Sequence, residues 1–543
     1  MSTRYFRLWP GLMLFLLCGL LRVGLADRHG LWADELFSLA MATGHSLEHP
    51  AAIADPGHGD FIEAVVALPP SAYSRYVQHD SPPAGPARVV RAVFLSETSP
   101  PIYFLLLNGW TRVLGTSDSA LRLFSIMWSL ACFPIIWSLA RQVGGRAASL
   151  PACVLFTFSP ACLFYSTEGR MYSLVWFLTA GAMLLTLDLH RHGFRWGTFL
   201  LWVGAGAAGL LTHYFFIFAW AGSLAWLLLY PGKFGRVWIV SGIILVGLSV
   251  LPWYRHLPES LANWRVTNNW LNLEPEGYDS LTAFLFLPWS FLSIRGVWGV
   301  PPRYDLINMG IFLVLAATMV GKLKWSLFLE RRRLLWIWLL SPCVGVLAFD
   351  IWRGTYAMAV PRYVLAGMPA AFLLVGLGIG RLHAWPRWIF LSLIVLLCTI
   401  GIRRQFLNQS RSYEPTRQVG QMLVEITSAS DLVIVHSIPS GVAGIARYME
   451  AAGASQNGVG FASWVGQLDQ RRVPQDLQKL ATGRKQIILV KIHEVGAPAP
   501  EETWLELSAN SKEKKQYEGI SWQIFQPCGA DTFFPLRSPT NLP

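Results

Sequence analysis

Leu31-Trp-Ala-Asp-Glu-Leu-Phe-Ser38 sets two adjacent carboxylates, Asp34 and Glu35, among apolar side chains just past the first apolar run. An ionised group beside hydrocarbon is costly and is kept for a partner or a task. A structural account also exists, because acids in the first turn of a helix favour its dipole. Further along, Tyr165-Ser-Thr-Glu-Gly-Arg-Met-Tyr172 offers Glu168 and Arg170 between two tyrosines. Arg122, Thr212-His213-Tyr214 and Arg362-Tyr363 add cations and aromatics. Taken singly, each has a plain explanation: Arg snorkels at a span end, Tyr joins an interfacial belt, and His ends a helix. Taken together they suit one chemistry. A carboxylate can act as general base on a hydroxyl. Arg side chains can grip a phosphate bidentately and neutralise it as it leaves. Aromatic rings can stack on sugars. A lipid-linked sugar phosphate and a hydroxyl acceptor would use every part.

Apolar runs must position these residues. The chain has 543 residues, of which 53% are hydrophobic and 14% charged, against about 25% charged in an ordinary soluble chain. Apolar runs of roughly 17–25 residues match a bilayer core, and the 25 Trp suit membrane–water interfaces. The expected fold is an all-α polytopic membrane bundle with a C-terminal soluble α/β domain. Eleven spans are read, near Trp9–Ala26, Leu121–Ala140, Ala147–Phe164, Met171–Leu189, Trp196–Leu211, Phe215–Leu229, Val237–Trp253, Leu306–Val320, Leu334–Phe349, Tyr363–Ile379 and Trp388–Ile402. Ile102–Leu114 is short, and Leu281–Trp298 is broken by Pro288. Both read as helices on the outer interface, and inserting both gives thirteen spans. The N-terminal run reads as an uncleaved anchor, although Gly24-Leu25-Ala26 offers a signal-peptide-like cleavage point. Arg22 is then expected to snorkel to the interface.

Short loops rich in Lys and Arg stay in the cytoplasm. Those carrying Arg141 and Arg146, Arg191 and Arg195, Lys233 and Arg236, Lys322 to Arg333, and Arg381 and Arg387 are therefore assigned inside. This leaves outside the first loop (27–119), the links bearing Glu168, His213 and Arg362, the loop from Tyr254 to Arg303, and the tail after Arg404. The domains expected are 1–404, a membrane domain, and 405–543, an extracytoplasmic α/β domain. In the tail, Asp431–His436, Gln486–Lys491 and Ser521–Gln526 read as strands, with helices at Pro415–Ile426 and Gln475–Leu480. The tail shows no phosphate-binding Gly loop or nucleophile elbow and reads as a lid or docking module. The stretch from His45 to Gly85 has no period and is expected to be irregular and partly mobile. The net charge of +12 lies largely in short loops between apolar runs, which argues against nucleic acid as a partner. The seven cysteines form no CxxC and no disulfide framework.

The ordered pieces resemble the glycosyltransferase-C superfamily, and most closely the bacterial branch of family thirty-nine, kin to protein O-mannosyltransferases and the lipid A aminoarabinose transferase. The matching pieces are Leu31–Ser38, Ser99-Pro-Pro-Ile-Tyr-Phe-Leu-Leu-Leu107, Ala120-Leu-Arg-Leu123, Ser159-Pro160 with Tyr165–Tyr172, Leu211-Thr-His-Tyr214 and Pro361-Arg-Tyr363. The resemblance implies an inverting glycosyltransferase in the inner (plasma) membrane. It implies a polyprenyl-phosphate sugar as donor and a hydroxyl of a glycan, lipid or protein as acceptor, with surrounding membrane lipids as further partners. By the resemblance, Asp34 is the catalytic base with Glu35 as its companion, and Glu168 is the second-loop acid. Arg122, Arg170, Tyr172, His213, Tyr214, Arg362 and Tyr363 fall at substrate-binding positions. Relatives often carry His or Lys where this chain has Ser99, which moves phosphate contact onto Arg122, Arg362 or a metal. No cofactor is assigned. A divalent ion at His45, His49, His58 and His79 is the alternative, but their spacing is loose and loop solvation is preferred.

Three other readings compete, one of them a non-catalytic scaffold whose soluble tail binds a partner, for which the outer-face acids would be unneeded. A transporter or flippase of lipid-linked sugars would place ionisable groups near the bilayer midplane, whereas these acids sit at span ends. A glycan ligase or polymerase shares the donor but usually carries its large loop late in the chain.

Overall fold

The computed structural model describes residues 9–49, 53–96, 99–258, 270–272, 279–291, 330–408, 414–465, 471–492 and 499–527. It divides into two compact units. The first comprises Met1–Ala26, Thr98–Tyr103 and Arg122–Leu407; the second comprises Asp27–Glu97, Phe104–Leu121 and Asn408–Pro543.

The first unit is helical, as its apolar runs demand, since only internal hydrogen bonds satisfy a backbone in hydrocarbon. Six helices among the described residues are long and apolar enough to cross a membrane: Asp118–Gly144, Tyr172–His192, Arg236–Tyr254, Arg332–Arg353, Pro361–Gly380 and Ala384–Leu407. Arg146–Phe158 and Pro160–Ser166 form a pair bent by 63°. Trp9–Val23, Trp196–Leu210 and Phe216–Leu229 are apolar but shorter. The expected span at Leu306–Val320 lies outside the described residues. Gly376 and Gly380 let two helices approach closely. A Cβ on Gly376 would come within 2.8 Å of the Ala152 backbone, and one on Gly380 within 2.9 Å of Ala147.

The bend at Ser159-Pro160 has a local cause. Pro160 has no N–H to give the Phe156 carbonyl four residues back. Ser159 instead caps the new helix, its Oγ accepting from the Cys162 N–H at 3.1 Å. The orphaned Phe156 carbonyl takes a bond from Arg22 Nη2 at 2.9 Å. The rest of that guanidinium donates to Ser129 Oγ at 3.0 Å, Cys18 O at 3.2 Å and Cys162 Sγ at 3.5 Å. It also lies over the Phe156 ring, 5.1 Å from its centroid. Arg22 is 0% exposed. The expectation that it snorkels is therefore wrong: the carbonyl left free by Pro160 holds it inside the helical unit.

The second unit joins the first long loop to the tail, whereas the sequence reading grouped that loop with the helices. Its sheet has the order β2-β1-β3-β5-β4, with β1 Leu432–His436, β2 Gly460–Trp464, β3 Ile487–Ile492, β4 Ala509–Tyr517 and β5 Ile520–Pro527. β1 runs parallel to β2 and β3, while β5 is antiparallel to β3 and β4. Leu432, Ile434, Ile487, Leu489, Leu505 and Phe525 fill its core. The edge of β2 is covered by the loop: Leu68 and Phe461 exchange both backbone bonds at 2.8 Å. Close by, Glu63 accepts from the Val465 N–H at 2.8 Å and pairs with Arg471 at 3.3 Å. The stretch after His45, expected to be irregular, forms short helical turns at Pro56–His58, Ser71–Ser74 and Arg75–Val77, and these contacts pin it. A second anchor is Asp118, 5% exposed. It accepts from Arg417 at 2.7 Å, Arg447 at 2.9 Å and the Tyr448 hydroxyl at 2.5 Å.

Candidate active site

In the first unit, the link after Ser166 makes a tight turn in which the Arg170 N–H donates to Glu168 O at 2.7 Å. Both side chains are buried, Glu168 at 1% and Arg170 at 7% exposure. The Arg170 carbonyl is held by Ser125 Oγ at 3.0 Å. Ser125 stands one helical turn beyond Arg122, itself 0% exposed, whose Nη1 donates to Ala26 O at 3.2 Å. Tyr165 and Tyr172 face each other edge to face across the turn, 5.3 Å between centroids.

His213 lies in the link between Trp196–Leu210 and Phe216–Leu229. Its Nδ1 accepts from the Phe215 N–H at 3.2 Å, and its ring is 6.3 Å from that of Tyr363. Burial, reinforced by the Arg170 and Arg362 guanidinium groups, holds the imidazole well below the usual histidine range. His213 as a residue is half-buried, which tempers the desolvation, but both cations act in the same direction. With Nδ1 as acceptor, the neutral ring carries its proton on Nε2. Arg362 lies over the Tyr363 ring at 5.5 Å. Their 3-10 turn, Pro361–Gly367, is clamped by the indole N–H groups of Trp176 on Leu365 O (2.9 Å) and Trp338 on Ala366 O (2.7 Å). Tyr214 points to another neighbour and accepts from Trp253 Nε1 at 3.0 Å.

The first unit thus brings Arg170, His213, Arg362 and Tyr363 together, with Glu168 and Arg122 fixed by the same turn and its Ser125 anchor. Sequence reasoning missed the supports. Asp350 is one of them: it accepts from Thr355 Oγ1 (2.7 Å), Ala357 N (2.8 Å), Met358 N (2.8 Å) and Ser280 Oγ (2.8 Å). In doing so it shapes the link that leads to Arg362. Its signal was in the chain, as an acid at the end of an apolar run.

Asp34 and Glu35 belong to the second unit, in the first turn of the helix Ala33–Thr43. Glu35 is 0% exposed and accepts from the Trp32 N–H at 3.5 Å. This is the structural role that acids in a first turn can take. Asp34 is half-buried, and its carbonyl accepts from Ser38 Oγ at 2.9 Å.

The loop histidines have separate partners. His49 meets Ser46 Oγ (3.2 Å), His58 meets Asp55 (2.6 Å) and His79 meets Thr111 Oγ1 (3.0 Å). Among the described residues no three His, Cys, Asp or Glu side chains converge to hold a metal ion. His45 is 2% exposed and lies 3.4 Å from Asp80. Burial lowers its pKa to about 4, against the pull of Asp80. The unfolded chain therefore takes up this proton first as the pH falls. Stability is complete above the ordinary value of 6.5 and drains as the pH drops towards 4, by at most about 3 kcal/mol. Melting curves at pH 7.5 and pH 4.5 should differ accordingly, and His45→Gln should shrink the difference. An unchanged difference in that variant would rule out His45 as its source.

Residues 98–255 match the sequence profile described as dolichyl-phosphate-mannose-protein mannosyltransferase. Among curated proteins, none matches the chain. Two solved structures are similar along almost the whole length. ArnT from Cupriavidus metallidurans bound to undecaprenyl phosphate has a TM-score of 0.54 and 11% identity, over 98% of this chain and 99% of that one. The same protein in its apo state has a TM-score of 0.55 and 13% identity, over 95% and 97%. The chain has the ArnT-like fold, the architecture implied by its resemblance to the glycosyltransferase-C superfamily.

Proposed function

We propose that this chain is a membrane glycosyltransferase that moves a sugar from a polyprenyl-phosphate donor to a hydroxyl acceptor, with inversion, on the outer face of the inner membrane. The observation that carries the reading is the pair Arg170 and Arg362 beside one neutral imidazole at the helix ends of an ArnT-like fold. Two cations that both act on one imidazole suit an anionic leaving group. In this reading Asp34 takes the proton from the acceptor hydroxyl as its oxygen attacks the anomeric carbon. The bond from that carbon to the phosphate oxygen breaks on the opposite face, and the electron pair leaves with the polyprenyl phosphate. Arg170, Arg362 and Arg122 stabilise that charge, and His213 can donate from Nε2. Glu168 fixes the turn that presents Arg170, while Tyr172, Tyr214 and Tyr363 contact sugar or lipid. The loops rich in Lys and Arg orient this face outward.

The test is transfer by the purified protein in lipid nanodiscs with a labelled polyprenyl-phosphate sugar. Arg170→Ala and Arg362→Ala are each expected to lower kcat by roughly a hundredfold or more, with lysine at either position restoring only part, since it lacks the planar fork. Full turnover in both alanine variants would overturn the assignment. Movement of the lipid-linked sugar across reconstituted vesicles without transfer would put a transporter in its place.

A further inference from the structure

We infer that the C-terminal α/β domain is the positioning element for Asp34: side chains of the tail, beyond the one local bond from the Trp32 N–H to Glu35, set the start of the helix that carries it. The inference rests on the reading of Asp34 as the base.

A helix begins with N–H groups that lack backbone partners. An adjacent Ser, Thr, Asp or Asn usually takes one of them. Here the cap position is Trp32, whose side chain offers no acceptor. The tail supplies what is missing. Glu414 Oε2 accepts from the Ala33 N–H at 2.8 Å, a bond spanning 381 residues of sequence. Two residues earlier, both backbone groups of Leu31 are taken by tail side chains. Its N–H donates to the Tyr448 hydroxyl at 2.6 Å, and its carbonyl accepts from Thr416 Oγ1 at 2.7 Å. The Tyr448 hydroxyl donates its own hydrogen bond to Asp118. Burial, with the Asp118 carboxylate adding to it, pushes that phenol above its ordinary range, so it stays a donor. Arg417 and Arg447 hold Asp118 from the other side. Behind the helix, Gly444 allows a close approach, since a Cβ there would lie 2.7 Å from Leu36 Cδ1. Leu31, Thr416, Glu414, Tyr448 and Asp118 are each 5% exposed or less. The backbone on the N-terminal side of Asp34 is thus held in a dry environment by three tail residues, with the loop's own Glu35 taking only the Trp32 N–H.

A lid or a docking module would need no such grip on this turn. Holding a reacting group in place is a large catalytic term, and a shift of about 1 Å can cost as much as a hundredfold. Tyr448→Phe keeps the ring but loses the bonds to Leu31 and Asp118. Glu414→Ala frees the Ala33 N–H, whereas Glu414→Gln keeps an oxygen able to accept. Transfer would be measured with the full-length protein in nanodiscs and a labelled polyprenyl-phosphate sugar. Tyr448→Phe and Glu414→Ala are expected to lower kcat about ten- to a hundredfold with KM for the lipid donor unchanged. Glu414→Gln should stay near the parent rate, which keeps the test decisive if Tyr448→Phe fails to fold. In an Asp34→Asn background neither change should slow the residual rate further, because each acts through Asp34. Equal fold-losses with and without Asp34, or full kcat in Tyr448→Phe and Glu414→Ala while Asp34→Asn is inactive, would overturn the positioning role and leave the transfer reading standing. Activity in Asp34→Asn itself would remove both.

Discussion

Asp34→Asn is expected to fold normally and to lose roughly a hundredfold or more of its transfer rate. The substitution keeps size and shape and removes only the charge. Asp34 is half-buried in the first turn of its helix, where the carboxylate's interaction with the helix dipole is worth about 0.3–1 kcal/mol, and the amide of the same shape keeps the packing. The chemistry loses far more, because a positioned general base is worth about 10²–10⁴ in rate. The neighbouring acid makes the control. Glu35 is fully buried and accepts a bond from the Trp32 N–H, and in Glu35→Gln the amide oxygen can still accept. That variant should keep much more activity than Asp34→Asn. The measurement is kcat with labelled lipid donor, read beside a melting curve in detergent. Near-parent turnover in Asp34→Asn would refute the base, and a far larger loss in Glu35→Gln would exchange the two roles.

The second large effect is expected on stability. Arg22→Ala and Arg22→Met should each lower the melting temperature markedly, by an amount corresponding to several kcal/mol. Four hydrogen bonds disappear. The costliest is the one to Phe156 O, since Pro160 leaves that carbonyl without its usual helical donor. A buried polar group left unpaired costs about 1–3 kcal/mol, and Ser129 Oγ loses its donor as well. Arg22→Met fills most of the volume but pairs neither group. If Arg22→Met melted with the parent, the guanidinium would not be what holds the bend. The same bend leads into the turn carrying Glu168 and Arg170, so a fall in transfer should accompany the fall in stability.

Much of this protein was legible in its sequence, and the physical reason is local. A helix in hydrocarbon needs a long apolar run, and such runs predicted the apolar helices of the first unit that lie among the described residues, within a few residues at most ends, whereas Ala33–Thr43 and Pro86–Ser96 in the first long loop went unread. Buried strands such as Leu432–His436 and Ile487–Ile492 announce themselves as short unbroken stretches of Val, Ile and Leu. Where a strand lacks that signature it went unread: β2 is only Gly-Phe-Ala-Ser-Trp, and β4 carries three lysines and a glutamate along its length. The candidate residues were found by type and by their places at span ends.

Long-range partnership was not legible, because it depends on residues far apart in the chain. Nothing near Arg22 says that a proline 138 positions later will free a carbonyl for it. Nothing in Leu31-Trp-Ala-Asp says that its cap will come from Glu414, or that Leu31 will find its partner 417 residues away in Tyr448. The lowered titration of His213 likewise comes from burial in the folded chain, with Arg170 and Arg362 brought to act on it from elsewhere in the sequence. Composition and periodicity determined which segments become helices or strands and which residue types stand at their ends. Tertiary structure alone decided which buried polar groups meet, because a polar group removed from water must find its partner wherever the fold brings one within reach.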